Sequence, residues 1–230
     1  MCSICGIRTK PLAALRRFFK HRFMHRQIAL FAALSFLFAG CQTGPKTITD
    51  SAGVTYTKTI HNLYVSQAPA FDPPALKGKT LAIFPTASGV PAQAKADEAE
   101  QFERMRKRLR DELVYALEAE NLFRTVTAAE PASHASDYAL DTTIVEYYPG
   151  NPALRFTVGF GAGYPSITLR GAIRDRASET PLFLFRTQRE FEARPFEYTD
   201  EQILENNIKD LARDFADYLE RSINKRPLKD

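Results

Sequence analysis

Leu154-Arg-Phe-Thr-Val-Gly-Phe-Gly-Ala-Gly-Tyr164 runs directly into Pro165-Ser-Ile-Thr-Leu-Arg-Gly-Ala-Ile-Arg174, and the reading of this junction decides the fold. A Gly-x-Gly-x-Gly run invites a dinucleotide-binding α/β fold, which requires a strand before the glycines and a helix after them. After these glycines, Ile167, Leu169 and Ile173 share one parity, with Thr168 and Arg170 on the other. That is the period of a strand. The glycines are therefore read as a kinked or bulged connection between strands, where backbone freedom is needed, and a phosphate cradle is rejected.

Working outward, Leu182-Phe-Leu-Phe-Arg-Thr-Gln-Arg-Glu-Phe191 forms the next strand, antiparallel to the last across Asp175 to Pro181. Its first half is apolar on both faces, so it is placed at the sheet centre. Upstream, Asp137 to Tyr148 reads as a strand ended by Pro149-Gly150-Asn151-Pro152, and Leu122 to Thr127 as a short one. Lys79 to Pro85 is a compact apolar run and the first central strand. Between these lie two long helices. Asp97 to Asn121 carries Phe102, Met105, Leu109, Leu113, Ala116 and Leu117 on one stripe, with Asp97 and Glu100 resembling a capping pair. Asp200 to Asn224 carries Leu204, Ile208, Leu211, Phe215, Tyr218, Leu219 and Ser222, with Thr199 and Gln202 fitting a capping box. The order strand, long helix, four strands, long helix gives an α+β two-layer sandwich: a mostly antiparallel sheet with both helices on one face.

The amino-terminal part reads differently. Ile28 to Gly40 is 13 residues without a charge, preceded by Arg16, Arg17, Lys20, Arg22 and Arg26 and followed by Cys41. Thirteen apolar residues are too few to span a bilayer, which takes about 20, but suit the apolar region of a signal peptide. The exit Leu37-Phe-Ala-Gly-Cys41 resembles the lipobox of bacterial lipoproteins, with Phe38 where an aliphatic residue is usual. The resemblance implies a diacylglycerol on the Cys41 thiol, cleavage before it and acylation of the new terminus, and several chains anchor stably where one does not. Gln42 stands where inner-membrane lipoproteins typically carry Asp, so the implied address is the outer membrane, facing the periplasm. The competing readings are an ordinary cleaved signal with Cys41 as a free thiol, or a short buried helix. A signal starting at Met24 would be compact, so translation is expected to begin there. The expected organisation is a signal peptide over 1–40, lipidated cysteine, tether and edge segment over 41–75, the α+β domain over 76–224 and a polar tail over 225–230. Within the second segment, residues 42–52 are the tether, Val54 to Ile60 a short edge strand and His61 to Pro74 irregular.

Composition narrows function. The chain has 31 Lys and Arg against 27 Asp and Glu, but residues 1–40 hold seven of the basic residues and no acid. The chain from Cys41 therefore carries 24 basic and 27 acidic residues, a net −3, which argues against a nucleic-acid partner. Beyond Cys41 it has no cysteine and only His61 and His134, both in loop-like sequence. A nucleophile triad or a metal cluster would need them, and no Gly-x-Ser-x-Gly or His-Glu-x-x-His occurs. Cys2 and Cys5 form a C-x-x-C without a second ligand pair. No cofactor or metal is expected.

Asp141, Glu146 and Asp175 are the carboxylates open to a hydrolase reading, but five residues apart on a regular strand Asp141 and Glu146 point to opposite faces. Arg104, Arg106, Lys107, Arg108 and Arg110 are open to an anion-binding reading, against a solvated face paired as Glu100–Arg104 and Glu103–Lys107. The candidate binding surface is the glycine segment itself: Phe160, Tyr164, Gly159, Gly161 and Gly163.

Gly150-Asn-Pro-Ala-Leu-Arg-Phe-Thr-Val-Gly-Phe-Gly-Ala-Gly163, a strand ending at Asp175 and a following apolar strand resemble an uncharacterised family of bacterial lipoproteins, known only as a domain of unknown function, over about residues 76–222. Its pattern continues Asp-x-x-Thr-Gly, where this chain has Asp175-Arg-Ala-Ser-Glu. The resemblance implies the address and the α/β make-up, and no activity. The expected function is a non-enzymatic binding or assembly factor with a protein partner in the cell envelope. The alternatives are a small-ligand binder using the aromatic glycine segment, or a carboxylate-based hydrolase.

Overall fold

A computed structural model describes residues 47–60, 62–68, 71–91, 96–130, 136–151, 153–154, 163–190 (backbone only for 188–190) and 199–228. Among them are nine strands in one mixed sheet and two long helices, an α+β fold. The strands are β1 (Thr47–Thr49), β2 (Thr55–Lys58), β3 (Leu63–Gln67), β4 (Thr80–Ile83), β5 (Ala87–Ser88), β6 (Thr125–Ala128), β7 (Tyr138–Tyr148), β8 (Ser166–Asp175) and β9 (Pro181–Glu190). The helices are α1 (Ala96–Ala119) and α2 (Asp200–Ile223). The strands lie in the order β1-β2-β3-β9-β8-β7-β4-β6, with β5 beside β7.

The junction that decides the fold reads correctly: the residues after the glycines form β8, antiparallel to both β7 and β9. Alternation assigns faces but not neighbours, and here the structure departs from the sequence reading. β4 lies between β6 and β7 and is parallel to both, because α1 carries the chain back over the sheet between β4 and β6. Residues inside the stretches read as tether and irregular segment form β1 and β3, and β3 pairs with β9 along five residues. Leu63, Tyr64 and Val65 are all buried, so β3 lacks the alternation that would mark it.

One core joins both helices to the sheet. It includes Leu81 and Ile83 of β4, Leu140 and Ile144 of β7, Ile167, Leu169 and Ile173 of β8, and Phe183 and Phe185 of β9. From α1 it takes Phe102, Met105, Leu109, Leu113 and Leu117, as their spacing predicts, with Ala116 partly buried. From α2 it takes Leu204, Ile208, Leu211, Phe215, Tyr218 and Leu219, and Ile223 closes the stripe in place of the half-buried Ser222. The arginines of α1 are committed locally. Arg104 pairs with Glu100 at 2.8 Å, Arg106 with Glu103 at 2.7 Å and Arg108 with Glu112 at 2.8 Å. Glu103 thus takes Arg106 instead of Lys107. Arg106 and Arg110 also donate to the Thr86 and Ile83 carbonyls, tying α1 to the sheet.

The helix ends follow from side-chain chemistry. Helix α1 already includes Ala96, so Asp97 sits inside the first turn and acts on the helix dipole instead of capping. At α2 the capping box is complete: Gln202 N donates to Thr199 Oγ1 at 3.2 Å and Thr199 N donates to Gln202 Oε1 at 2.9 Å. Thr199→Ala should lower stability by about 1 kcal/mol, read as a lower urea midpoint at unchanged slope. In the β8–β9 turn, Asp175 Oδ1 accepts from Ala177 N and Ser178 N. Glu179 then takes a left-handed φ of +54° at the place of the pattern's glycine, with its carboxylate 2.7 Å from Arg176 Nη1. A non-glycine residue there costs about 1 kcal/mol or more, while the ion pair, buried on its Arg176 side and exposed on its Glu179 side, returns part of it. Glu179→Gly should therefore raise stability by up to about 1 kcal/mol, checked by the same unfolding curve.

Candidate binding surface

Around β7, β8 and β9, the side of the strands turned away from the core carries a pattern of charged groups. Thr168, Arg170, Ala172 and Arg174 of β8 face that side, beside Leu184 and Arg186 of β9, by the register that turns Leu169, Gly171 and Ile173 to the core. On β7 the register shifts between Ile144 and Glu146. This bulge spends one residue and brings Asp141 and Glu146 onto the same face, correcting the expectation of opposite faces. Asp141 then accepts from Arg174 Nε at 2.6 Å. Glu146 accepts from Arg186 Nη2 at 3.0 Å and from Thr168 Oγ1 at 2.8 Å. Further out, the buried Tyr56 donates its hydroxyl to Asp50 Oδ2 at 3.1 Å. Burial, and then the adjoining Asp50 carboxylate, push the Tyr56 hydroxyl up to about 12. Arg170, exposed in the middle of this face, adds positive charge that acts on both Asp50 and Tyr56.

The same geometry bears on the hydrolase reading. Asp141 pairs with Ala172 and Glu146 with Thr168, four residues along β8, or about 13 Å. Paired carboxylates that act on one glycosidic bond stand about 5–9.5 Å apart. Two other carboxylates do meet. Asp137, which sequence spacing did not single out, and Asp175 line an open depression of about 340 Å³ with Lys79 and Arg176. Each is tied into structure. Asp137 Oδ2 accepts from Thr80 N and Thr80 Oγ1, both at 2.8 Å, and these bonds hold its carboxyl below the usual range. The bonds from Ser178 and Ala177 do the same for Asp175, against the repulsion of Asp137. Both stay ionised at neutral pH, so neither offers the raised carboxyl that a general acid requires.

The lowered values carry a stability consequence. At Asp50 too, burial pushes the carboxyl up, but hydrogen bonds from Val54, Tyr56 and Ala52 outweigh it and the net shift is downward. A carboxyl that is more acidic folded than unfolded binds fewer protons folded, so its contribution is complete above its unfolded value near 4 and lost as pH falls through the lowered folded value. Stability should fall between about pH 5 and pH 2. Asp137→Asn should lower stability at pH 7 and flatten that fall, as followed by urea midpoints across pH.

The glycine segment enters and leaves where the two helices begin. Asn151 N donates to the Gly163 carbonyl at 2.7 Å, joining its two ends. Gly150 has φ +95°, and a Cβ there would lie 2.9 Å from the Asp200 carboxylate at the start of α2, so a larger residue would strain the backbone and push that side chain aside. Nearby, Arg104 Nη2 reaches Glu201 Oε1 at 3.2 Å and links the third turn of α1 to the first turn of α2. Gly163 has φ +81°, and Tyr164 is half-buried. Phe160, Gly159 and Gly161 lie outside the described residues, as do Cys41, His61 and His134. The structure thus brings Gly163 and Tyr164 to the segment's exit and does not place the rest of the sequence-derived surface. Among the described residues no group of three or more His, Cys, Asp or Glu is arranged to hold a metal ion, and no helix is long and apolar enough to cross a membrane.

An α+β domain with a mixed sheet and a charged outer face is the class these features define. Residues 63–195, more than half of the chain, match a family described as a domain of unknown function, DUF4410, and the chain belongs to that family. No curated protein matches it. Among solved structures, the PelC dodecamer from Paraburkholderia phytofirmans is similar at 14% identity, covering 66% of this chain and 94% of that one, with a TM-score of 0.42. Protein XCC0632 from Xanthomonas campestris is similar at 15% identity, 74% and 96% coverage and a TM-score of 0.42. Lipoprotein GNA1162 from Neisseria meningitidis is similar at 13% identity, 60% and 96% coverage and a TM-score of 0.34. These are distant likenesses.

Proposed function

We propose that this protein is a lipoprotein held in the outer membrane through acyl chains on Cys41, and that its α+β domain faces the periplasm as a non-enzymatic module that binds or scaffolds a protein of the cell envelope. The observation that carries the reading is the stretch Ile28 to Cys41, with its basic approach, short apolar run and small residues before a single cysteine. The two-layer arrangement, with both helices on one side, leaves the other side of the sheet for such a partner. The charged groups support a binding role over a reacting one: on that side Asp141 and Glu146 are each held by an arginine, and at the strand ends Asp137 and Asp175 are held by the backbone they brace. Surface ion pairs of this kind add little stability, about 0–1 kcal/mol, so they can be exchanged for a partner's charges at small cost.

Growth with labelled palmitate tests the anchor: label on the wild-type protein and none on Cys41→Ser supports it, and an unlabelled wild type ends it. Cross-linking in intact cells tests the module. The wild type should enrich one reproducible envelope protein, and Arg170→Glu, which reverses the exposed charge without breaking an ion pair among the described residues, should reduce that recovery about tenfold, the effect of about 1.4 kcal/mol. Equal recovery with the variant would remove the outer sheet face from the proposal.

A further inference from the structure

The face of the helix pair that points away from the sheet carries a feature that the binding reading above does not use. Helices α1 and α2 run side by side in the same direction: Arg104 of the third turn of α1 meets Glu201 of the first turn of α2, and farther along both line one open groove of about 660 Å³. The two walls differ in charge. From α1 come Arg108, Asp111, Glu112 and Glu120, Arg108 neutralising Glu112 at 2.8 Å and leaving a net acidic wall. From α2 come Lys209 and Arg213, the latter leaning on Asp210 at 3.5 Å, outside the groove. The floor is small, built from Ala116, Ala119 and Ala216. Tyr115 stands in the groove with 72% of its surface exposed, the most exposed large hydrophobic side chain among the described residues.

We infer that this groove is a self-complementary interface that receives a second copy of the same chain. An acidic wall beside a basic wall meets its complement when a copy is turned over so that α1 of one lies on α2 of the other. Only a two-fold axis running along the helices does this. It leaves height along the helix unchanged, so Lys209 of one copy comes level with Asp111 and Glu112 of the other, and Arg213 one turn farther on, toward Glu120. An axis across the helices would set acid on acid. The contact is isologous, each patch meeting the same patch. The alanine floor allows close approach, and Tyr115 lies at the height of the other copy's Arg213, where a guanidinium over the ring is favourable. This inference is independent of the anchor and of the sheet-face partner.

The test uses full-length protein in its own membrane, as two co-expressed copies with different tags, and reads how much of one tag is recovered with the other. Wild-type copies should co-purify. Lys209→Glu with Arg213→Glu in both copies should cut recovery at least tenfold, because acid then faces acid. Adding Asp111→Lys and Glu120→Lys to those copies restores opposite charges and should return recovery to near the wild-type level. That return separates a broken interface from a misfolded chain and from two anchors that merely share one membrane patch. Failure of the wild-type copies to co-purify, recovery unaffected by the first pair, or no return with all four would each overturn the inference.

Discussion

Phe183→Ala should be among the most damaging single changes in the domain, lowering stability by about 3–5 kcal/mol. The ring is fully buried on β9, the strand between β3 and β8. Four aromatic rings surround it: Phe71 at 5.8 Å, Tyr218 stacked at 5.6 Å, Phe185 at 6.1 Å and Phe215 at 6.2 Å. These come from the loop after β3, from the sheet and from α2, so the cavity opens where three parts of the chain meet. The surrounding rings are themselves packed and cannot collapse far into the space. Phe183→Leu, which keeps most of the volume, should cost clearly less. Urea unfolding of both variants provides the check, and a loss under about 1.5 kcal/mol for the alanine variant would contradict this packing.

Gly171→Ala tests the same region by the opposite change. A Cβ on Gly171 would overlap Cζ and Cε1 of the Phe185 ring and lie 2.9 Å from the Asp141 carbonyl. The glycine exists to let that ring lie across β8. Phe185 cannot swing aside, because it stacks on Phe215 with centroids 4.2 Å apart. Inserting one methyl into such a core typically costs about 1–3 kcal/mol, occasionally more. Here backbone on one side and a stacked ring on the other favour the upper end. Combining Gly171→Ala with Phe185→Leu should recover part of the loss, since the two sites share one contact. A Gly171→Ala protein within about 0.5 kcal/mol of wild type would show that the ring is not held as described.

Much of this core was legible in residue spacing. Ile167, Leu169 and Ile173 share a parity that no helix would give, and they face the core. The stripes of α1 and α2 and the Thr199–Gln202 capping box follow from local rules that need no knowledge of the rest of the fold. What spacing could not supply was partnership. Whether β4 runs parallel to β7 depends on where α1 returns the chain, and no residue of β4 records it. The bulge after Ile144 moves Glu146 to the face of Asp141, and Val145 carries no mark of it. Leu63 to Val65 lack alternation because all three are buried, and β1 is only three residues long. Asp137 is one acid among 27 until the Thr80 backbone is seen to approach it. Of the candidate surface in the glycine segment, only Gly163 and Tyr164 belong to the described structure, and Phe160 stands on the sequence alone.

The proposed function rests on what happens at Cys41, and intact mass analysis of the protein extracted from the membrane fraction measures that directly. The account predicts a chain that begins at Cys41 and carries diacylglycerol and an amide-linked acyl group at that residue. A chain that still contains residues before Cys41, or one that begins at Cys41 without lipid, would contradict it.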